Sequence, residues 1–221
     1  MRYERGSNMN TGNARLSVRL SLISILVLLL SFLLACSKGG QTPENSSAPA
    51  VNPYSNESVF NEVQRKVQEN PNDTDALYHL ADLYFRNAQY KEAIETYKKV
   101  LKLKPDLGYA YLQIGTAYDR MNQPAEAVTA FHSAIKYMPA YAVAYNNLGI
   151  AYGKLNKLGE EVNSLKRAIS LRPRYASARY NLGVTYLKMG NKKLALSEYE
   201  ALKDFDEGTA EALMKEIQKT P

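Results

Sequence analysis

The sequence predicts an all-α fold made of tandem helical hairpins, and three periodicities carry that prediction. Pro71, Pro105, Pro139 and Pro173 recur every 34 residues, Tyr84, Tyr118, Tyr152 and Tyr186 recur at the same interval, and so do Gly115, Gly149 and Gly183. A fixed period of this length, punctuated by helix-stopping prolines, marks a stack of repeated helix pairs in which each unit buries its apolar face on its neighbours.

The first copy spans 74–107 and contains Leu80-Ala81, Tyr84, Ala93, Tyr97 and Pro105. The second spans 108–141, with Ile114-Gly115, Tyr118, Ala127, Phe131, Ala134 and Pro139. The third spans 142–175, with Leu148-Gly149, Tyr152, Leu165, Ala168 and Pro173. The fourth spans 176–209, with Leu182-Gly183, Tyr186, Ala195 and Tyr199, and has Glu207 in place of the closing proline. The small residues let two helices approach closely, the aromatics fill the wedge between neighbours, and proline ends one hairpin and begins the next. Before the first copy, Val59, Phe60, Val63 and Val67 form a one-sided stripe within 58–73, the second half of a repeat without its first helix. After the fourth, Ala210, Leu213, Met214 and Ile217 have i, i+3, i+4, i+7 spacing, which predicts a capping helix over 210–219.

These positions resemble the tetratricopeptide repeat family. The resemblance implies a right-handed superhelical solenoid over 58–221 and a protein-binding function, with the first helix of each pair lining a concave groove. Carried over residue by residue, the groove takes Tyr78, His79, Asp82, Phe85 and Arg86 from the first repeat and Tyr109, Leu112, Gln113, Thr116 and Arg120 from the second. The third gives Asn146, Asn147, Ile150 and Lys154, and the fourth gives Tyr180, Asn181, Val184 and Lys188. Tyr78, Phe85, Tyr109 and Tyr180 read as aromatics free for a ligand. His79, Gln113, Asn147 and Asn181 share one repeat position and can donate and accept hydrogen bonds. They form either a ladder for an extended peptide or a solvated polar row. The carboxylate clamp of chaperone-binding members is absent, since its first-repeat positions hold Tyr78 and Asp82.

One departure stands out. Glu161 falls where the other copies have Ala93, Ala127 and Ala195. A carboxylate at that close-packed position costs desolvation or splays the hairpin, so the third repeat reads as a weak point, loosened further by Gly159, with Glu161 accommodated at the helix edge and a functional role for it as the lesser alternative.

The beginning of the chain has a different character. Residues 20–35, LSLISILVLLLSFLLA, form an uncharged apolar run preceded by arginines, the pattern of a secretory signal. Leu33-Leu34-Ala35-Cys36 resembles the bacterial lipobox. That resemblance implies cleavage before Cys36 and acylation of its thiol and amine, with 1–35 as signal peptide, whether translation starts at Met1 or Met9. Several acyl chains give stable anchoring where one is marginal. The competing reading is an uncleaved transmembrane helix ending in a free cysteine, but the run is shorter than the roughly 20 residues that span a bilayer. Ser37 in place of the aspartate of inner-membrane sorting implies the outer membrane, facing the periplasm. Residues 36–57 continue as a Ser-, Gly-, Pro- and Asn-rich tether with almost nothing to bury.

Composition excludes several functions. The net charge is +6, but four arginines against one glutamate in residues 1–35 supply half of it, and the remaining charges interleave both signs. No basic stripe for phosphates results, so nucleic acid is not an expected partner. With one cysteine and two histidines, and no phosphate loop or triad, neither catalysis, a metal, a cofactor nor a small-molecule substrate is expected. His79 reads as a groove side chain and His132 as inert. The expected partners are a protein or peptide and, through the lipid, a membrane. By resemblance, the process is assembly of an envelope machine such as a type IV pilus, with a scaffold for cell-wall enzymes as the alternative. Substituting Cys36→Ser should abolish incorporation of an alkyne fatty acid in metabolic labelling; equal labelling of both forms rules out the anchor.

Overall fold

In the computed structural model, which describes residues 57–220, ten α-helices follow one another and no strand occurs among the described residues. They are α1 (Glu57–Glu69), α2 (Thr74–Arg86), α3 (Tyr90–Leu103), α4 (Gly108–Arg120), α5 (Pro124–Tyr137), α6 (Ala142–Lys154), α7 (Leu158–Leu171), α8 (Ala176–Lys188), α9 (Lys192–Lys203) and α10 (Glu207–Lys219). The expected signal peptide, Cys36 and the tether lie outside the described residues, apart from Glu57, which opens α1.

Local chemistry sets the helix ends. Lys104, Met138 and Arg172 each precede a proline and cap the second helix of a pair with φ between −129° and −137°. A residue before proline is driven out of the helical region by the ring, so each of these helices stops there. The turn inside each hairpin is also periodic. Ala88, Asn122, Asn156 and Gly190 all take positive φ, from 56° to 73°. The amides that follow them, Gln89, Gln123, Lys157 and Asn191, donate to the carbonyls of Tyr84, Tyr118, Tyr152 and Tyr186 at 2.8–3.0 Å. This is the Schellman closure of a helix end, in which a left-handed residue turns the chain so that orphan carbonyls are satisfied. Asp73 begins α2 by accepting from the amides of Asp75 and Ala76. Asp206 begins α10 by accepting from Thr209, so the capping helix starts at Glu207 rather than at 210.

Each pair closes as an antiparallel hairpin: α2 on α3, α4 on α5, α6 on α7 and α8 on α9. Each second helix then packs on the first helix of the next pair. Successive first helices α4 and α6, and α6 and α8, also touch, while no pair of second helices packs to that extent. The first helices therefore lie on the inside of the curve. At the ends, α1 packs on α2 as a second helix would, and α10 covers both α8 and α9 as a further first helix would.

The close approach inside the hairpins is specific. A Cβ added at Gly115 would lie 2.6 Å from the Phe131 ring, and one at Gly149 would lie 2.9 Å from Leu165. Tyr97, Phe131 and Leu165 are essentially fully buried opposite these small positions. The glycine of the fourth repeat behaves differently: a Cβ at Gly183 would meet Leu213 of α10, so there the small residue admits the cap rather than α9. The signature tyrosines are packing residues as expected. Tyr84 lies edge-on to Phe60 at 5.2 Å, and Tyr186 is buried.

Of the four turn residues in the left-handed region, Ala88 is the one least suited to it. An L-residue there is disfavoured by roughly 1–2 kcal/mol. Ala88 is exposed, so Ala88→Gly removes no packing. It should raise stability by about 1 kcal/mol, visible as a higher midpoint in thermal melts; a lower one contradicts this account of the turn.

Candidate binding groove

The first helices present the residues expected to line the groove, but the structure divides them into two groups. One group is bound up in the fold. Tyr78 lies edge-on to Tyr97 at 5.4 Å, and Phe85 lies edge-on to Tyr90 at 5.5 Å. Tyr180 packs against the buried cluster formed by α7 to α10. Three of the four aromatics read as free are therefore half-buried packing residues. Leu112 is likewise buried.

Several polar residues are committed too. The Tyr97 hydroxyl donates to an Asp82 carboxylate oxygen, with the Gln113 side chain on the same hydroxyl. Burial, then the Asp82 contact, pushes the Tyr97 hydroxyl far above its usual value, and burial pushes Tyr78 up to about 12. Both hydroxyls therefore stay protonated at ordinary pH, and that of Tyr97 donates to Asp82. Asn146 is 4% exposed, a buried residue rather than an open groove position. Its Oδ1 accepts from Asn181 Nδ2 at 3.2 Å and its Nδ2 donates to Asn147 Oδ1 at 3.3 Å. The asparagines thus join α6 to α8, so Asn181 serves the fold as well as the surface. Thr116 turns its hydroxyl back to the Leu112 carbonyl at 2.9 Å.

The other group faces solvent. His79 is exposed, and Tyr109 is 49% exposed although its ring meets Tyr141 edge-on at 5.4 Å. Together with Tyr78, Leu107, Val63, Lys66, Lys104 and the start of α2 they enclose a cavity of about 670 Å³ at the beginning of the groove. Arg120 is exposed, and Ile150 and Val184 are half-buried. Arg86, Arg120, Lys154 and Lys188 occupy one repeat position at the last turn of each first helix, where cations complement the helix dipole. Lys154 pairs with Asp119 of the preceding repeat at 2.7 Å. His132 has a structural partner: its Nε2 lies 2.9 Å from the Tyr152 hydroxyl, across the α5–α6 junction.

Glu161 is the largest correction. It does not sit at a helix edge, and the hairpin is not splayed, because α6 and α7 pack as the other pairs do. The side chain is buried at 4% exposure, and a Cβ on Gly153 would fall 2.7 Å from its carboxylate. Gly153 therefore makes the room that alanine at position 161 makes unnecessary elsewhere. One carboxylate oxygen, Oε2, is buried with no hydrogen-bond partner, and the other lies 3.8 Å from Lys188 Nζ. Gly159 meets open space and is part of a regular α7.

A thermodynamic cycle tests this pairing. Glu161→Ala should stabilise the chain by about 1 kcal/mol, since it removes a buried acceptor left unsatisfied. Gly153→Ala should be more favourable by about 1 kcal/mol or more in the Glu161→Ala background than alone, because the added methyl overlaps the carboxylate only when Glu161 is present. Additive effects in thermal melts would show that the two sites are independent.

Three family models described as tetratricopeptide repeat match residues 74–107, 109–140 and 176–209, and a fourth described as TPR repeat matches 154–190. These matches cover more than half of the chain and leave out 141–153, within the copy that carries Glu161. Comparison with curated proteins finds no match. Solved structures of similar fold include MamA from Desulfovibrio magneticus, at 23% identity and TM-score 0.64, covering 68% of this chain and 87% of that one. YrrB, described as a TPR protein with an unusual peptide-binding site, aligns at 24% identity and TM-score 0.61 over 72% of this chain and 86% of its own. PilW, described as a widely conserved type IV pilus biogenesis factor, aligns at 22% identity and TM-score 0.64 over 74% and 77%. At these identities the likeness speaks to the fold, an all-α solenoid of the kind that scaffolds protein–protein interaction. With four family matches and a 34-residue period realised as four helical hairpins, the chain belongs to the tetratricopeptide repeat family.

Proposed function

We propose that this chain is a lipid-anchored scaffold of the bacterial envelope that holds a segment of a partner protein in the groove of its first helices. The observation that carries the binding half is the cavity of about 670 Å³ walled by Tyr78, His79 and Tyr109. A concave site with aromatic walls and a few polar groups suits a polypeptide segment, because rigid rings bury much area at small entropic cost. The anchoring half rests on the sequence around Cys36 and on Ser37, which favour an outer-membrane lipoprotein facing the periplasm. The process proposed is assembly of an envelope machine such as a type IV pilus. The combination of lipobox, tether and tandem repeats supports it, and the fold shared with PilW is compatible with it.

The catalytic role of the scaffold in this reading is nil: it positions a partner. Exposed His79 and half-exposed Tyr109 are the side chains to test, because neither fills the core. His79→Ala with Tyr109→Ala should lower capture of envelope proteins by the immobilised full chain at least about tenfold, an ordinary loss for an interface aromatic. The melting midpoint should move by less than the loss of a core aromatic would produce. Undiminished capture of the same proteins by the double variant sinks the groove assignment.

A further inference from the structure

The groove contains a second, smaller cavity of about 220 Å³ between α6 and α8. Ile150 and Val184 form apolar walls, Asn181 supplies an amide, Lys154 and Lys188 stand at the rim, and Glu161 lies against Gly153. Three facts define what this cavity lacks. The Glu161 Oε2 atom is buried without a hydrogen-bond partner. The nearest cation, Lys188 Nζ, is 3.8 Å from Oε1, beyond hydrogen-bond length, on a side chain that is 48% exposed. Lys154 is already engaged by Asp119 at 2.7 Å. The unsatisfied group of the site is thus an acceptor, and the missing partner is a donor.

The geometry points to a subsite for a cationic side chain of the bound segment, arginine in first place, with its aliphatic stem between Ile150 and Val184 and its head on Glu161. This rests on the proposed scaffold role and names the chemistry that the groove selects. A guanidinium fits better than an ammonium because its planar fork matches a carboxylate in two bonds and it is more weakly hydrated. An anionic side chain would be set beside a buried carboxylate and would leave Oε2 unsatisfied. Lys188 acts as a loose placeholder: long, half in solvent and at poor distance, it can swing outward when a better donor enters. Gly153 is what opens the cavity to Glu161, since any side chain there would meet the carboxylate.

The test uses the full chain labelled with 15N and three small probes: N-acetyl-arginine amide, N-acetyl-citrulline amide and N-acetyl-glutamate amide. Citrulline keeps the shape of arginine without its charge. Arginine should give saturable shifts of the Gly153 and Asn181 amides, while citrulline and glutamate should not. Glu161→Gln should abolish the arginine response. Lys188→Met should tighten arginine binding by about threefold or more, because removing a placeholder raises the fraction of chain competent to bind. Lys188 lies on the surface, so that variant reports even if Glu161→Gln were to misfold. Equal shifts from citrulline, binding retained in folded Glu161→Gln, unchanged or weaker binding in Lys188→Met, or no saturable shift from arginine would each overturn the subsite. Those results would leave the scaffold reading untouched, since that depends on capture through His79 and Tyr109 at the other end of the groove.

Discussion

The second and third hairpins each depend on a glycine on the first helix facing a bulky residue on its partner. Gly115 under Phe131 and Gly149 under Leu165 leave no room for a single added carbon. That clearance sets the distance between the two helices, which in turn fixes where each second helix delivers its outer side to the next repeat. Because the period is uniform, successive repeats stack with similar geometry, until at the fourth repeat Gly183 gives its clearance to Leu213 of the cap. The third repeat meets the constraint twice. It keeps the Gly149–Leu165 contact and adds a reversed one, in which the first helix gives up its side chain at Gly153 so that the second helix can carry Glu161. The hairpin stays closed because the volume has moved across the interface rather than increased.

A groove made by first helices serves two purposes at once. The first helices sit on the inside of the curve, where they must touch one another, so part of their polar surface is used to hold them together. Asn146 and Asn181 bridge α6 to α8, Lys154 reaches back to Asp119, and Asp82 receives the hydroxyl of a core tyrosine. A polar row on such a surface is therefore partly structural. What is left for a ligand is the pair of places where the row is not internally paired: the cavity beside His79 and Tyr109, and the cavity above Glu161.

The sequence made the helices legible because its punctuation is chemical. Prolines force the preceding residue out of the helical region, and tyrosine, glycine and alanine recur at one interval. The repeat positions of the groove were legible for the same reason. Their contacts were not. Asn146 and Asn147 are adjacent and identical in type, and only packing distinguishes the buried one from its neighbour. Tyr78 and Phe85 looked free because the repeat pattern does not require them, yet Tyr97 and Tyr90 stand against them. The left-handed turn position is hard to see in the sequence because three residue types, Ala88, Asn122 with Asn156, and Gly190, fill it; a backbone requirement shows in sequence most clearly when one residue type answers it. Gly153 could have been found by asking what lies across from Glu161, since an enlarged residue on one helix demands a reduced one on the other.

The repeats also act as controls for one another. The position of Glu161 is filled by Ala93, Ala127 and Ala195 in the other copies, each fully buried. The chain therefore contains three examples of a side chain that satisfies the same packing without a charge. Burying a carboxylate with an oxygen unmet is unfavourable, and glycine at position 153, in the last turn of α6, is a poorer helix former than alanine. Both deviations stabilise nothing in the hairpin they share. They occur together, they face a cavity between first helices, and they put a negative group beside the apolar walls of Ile150 and Val184. A departure that weakens the fold at two matched positions, and whose internal partner is the half-exposed Lys188 at 3.8 Å, is best explained by what enters from outside, and the chemistry of that visitor follows from the oxygen left without a partner.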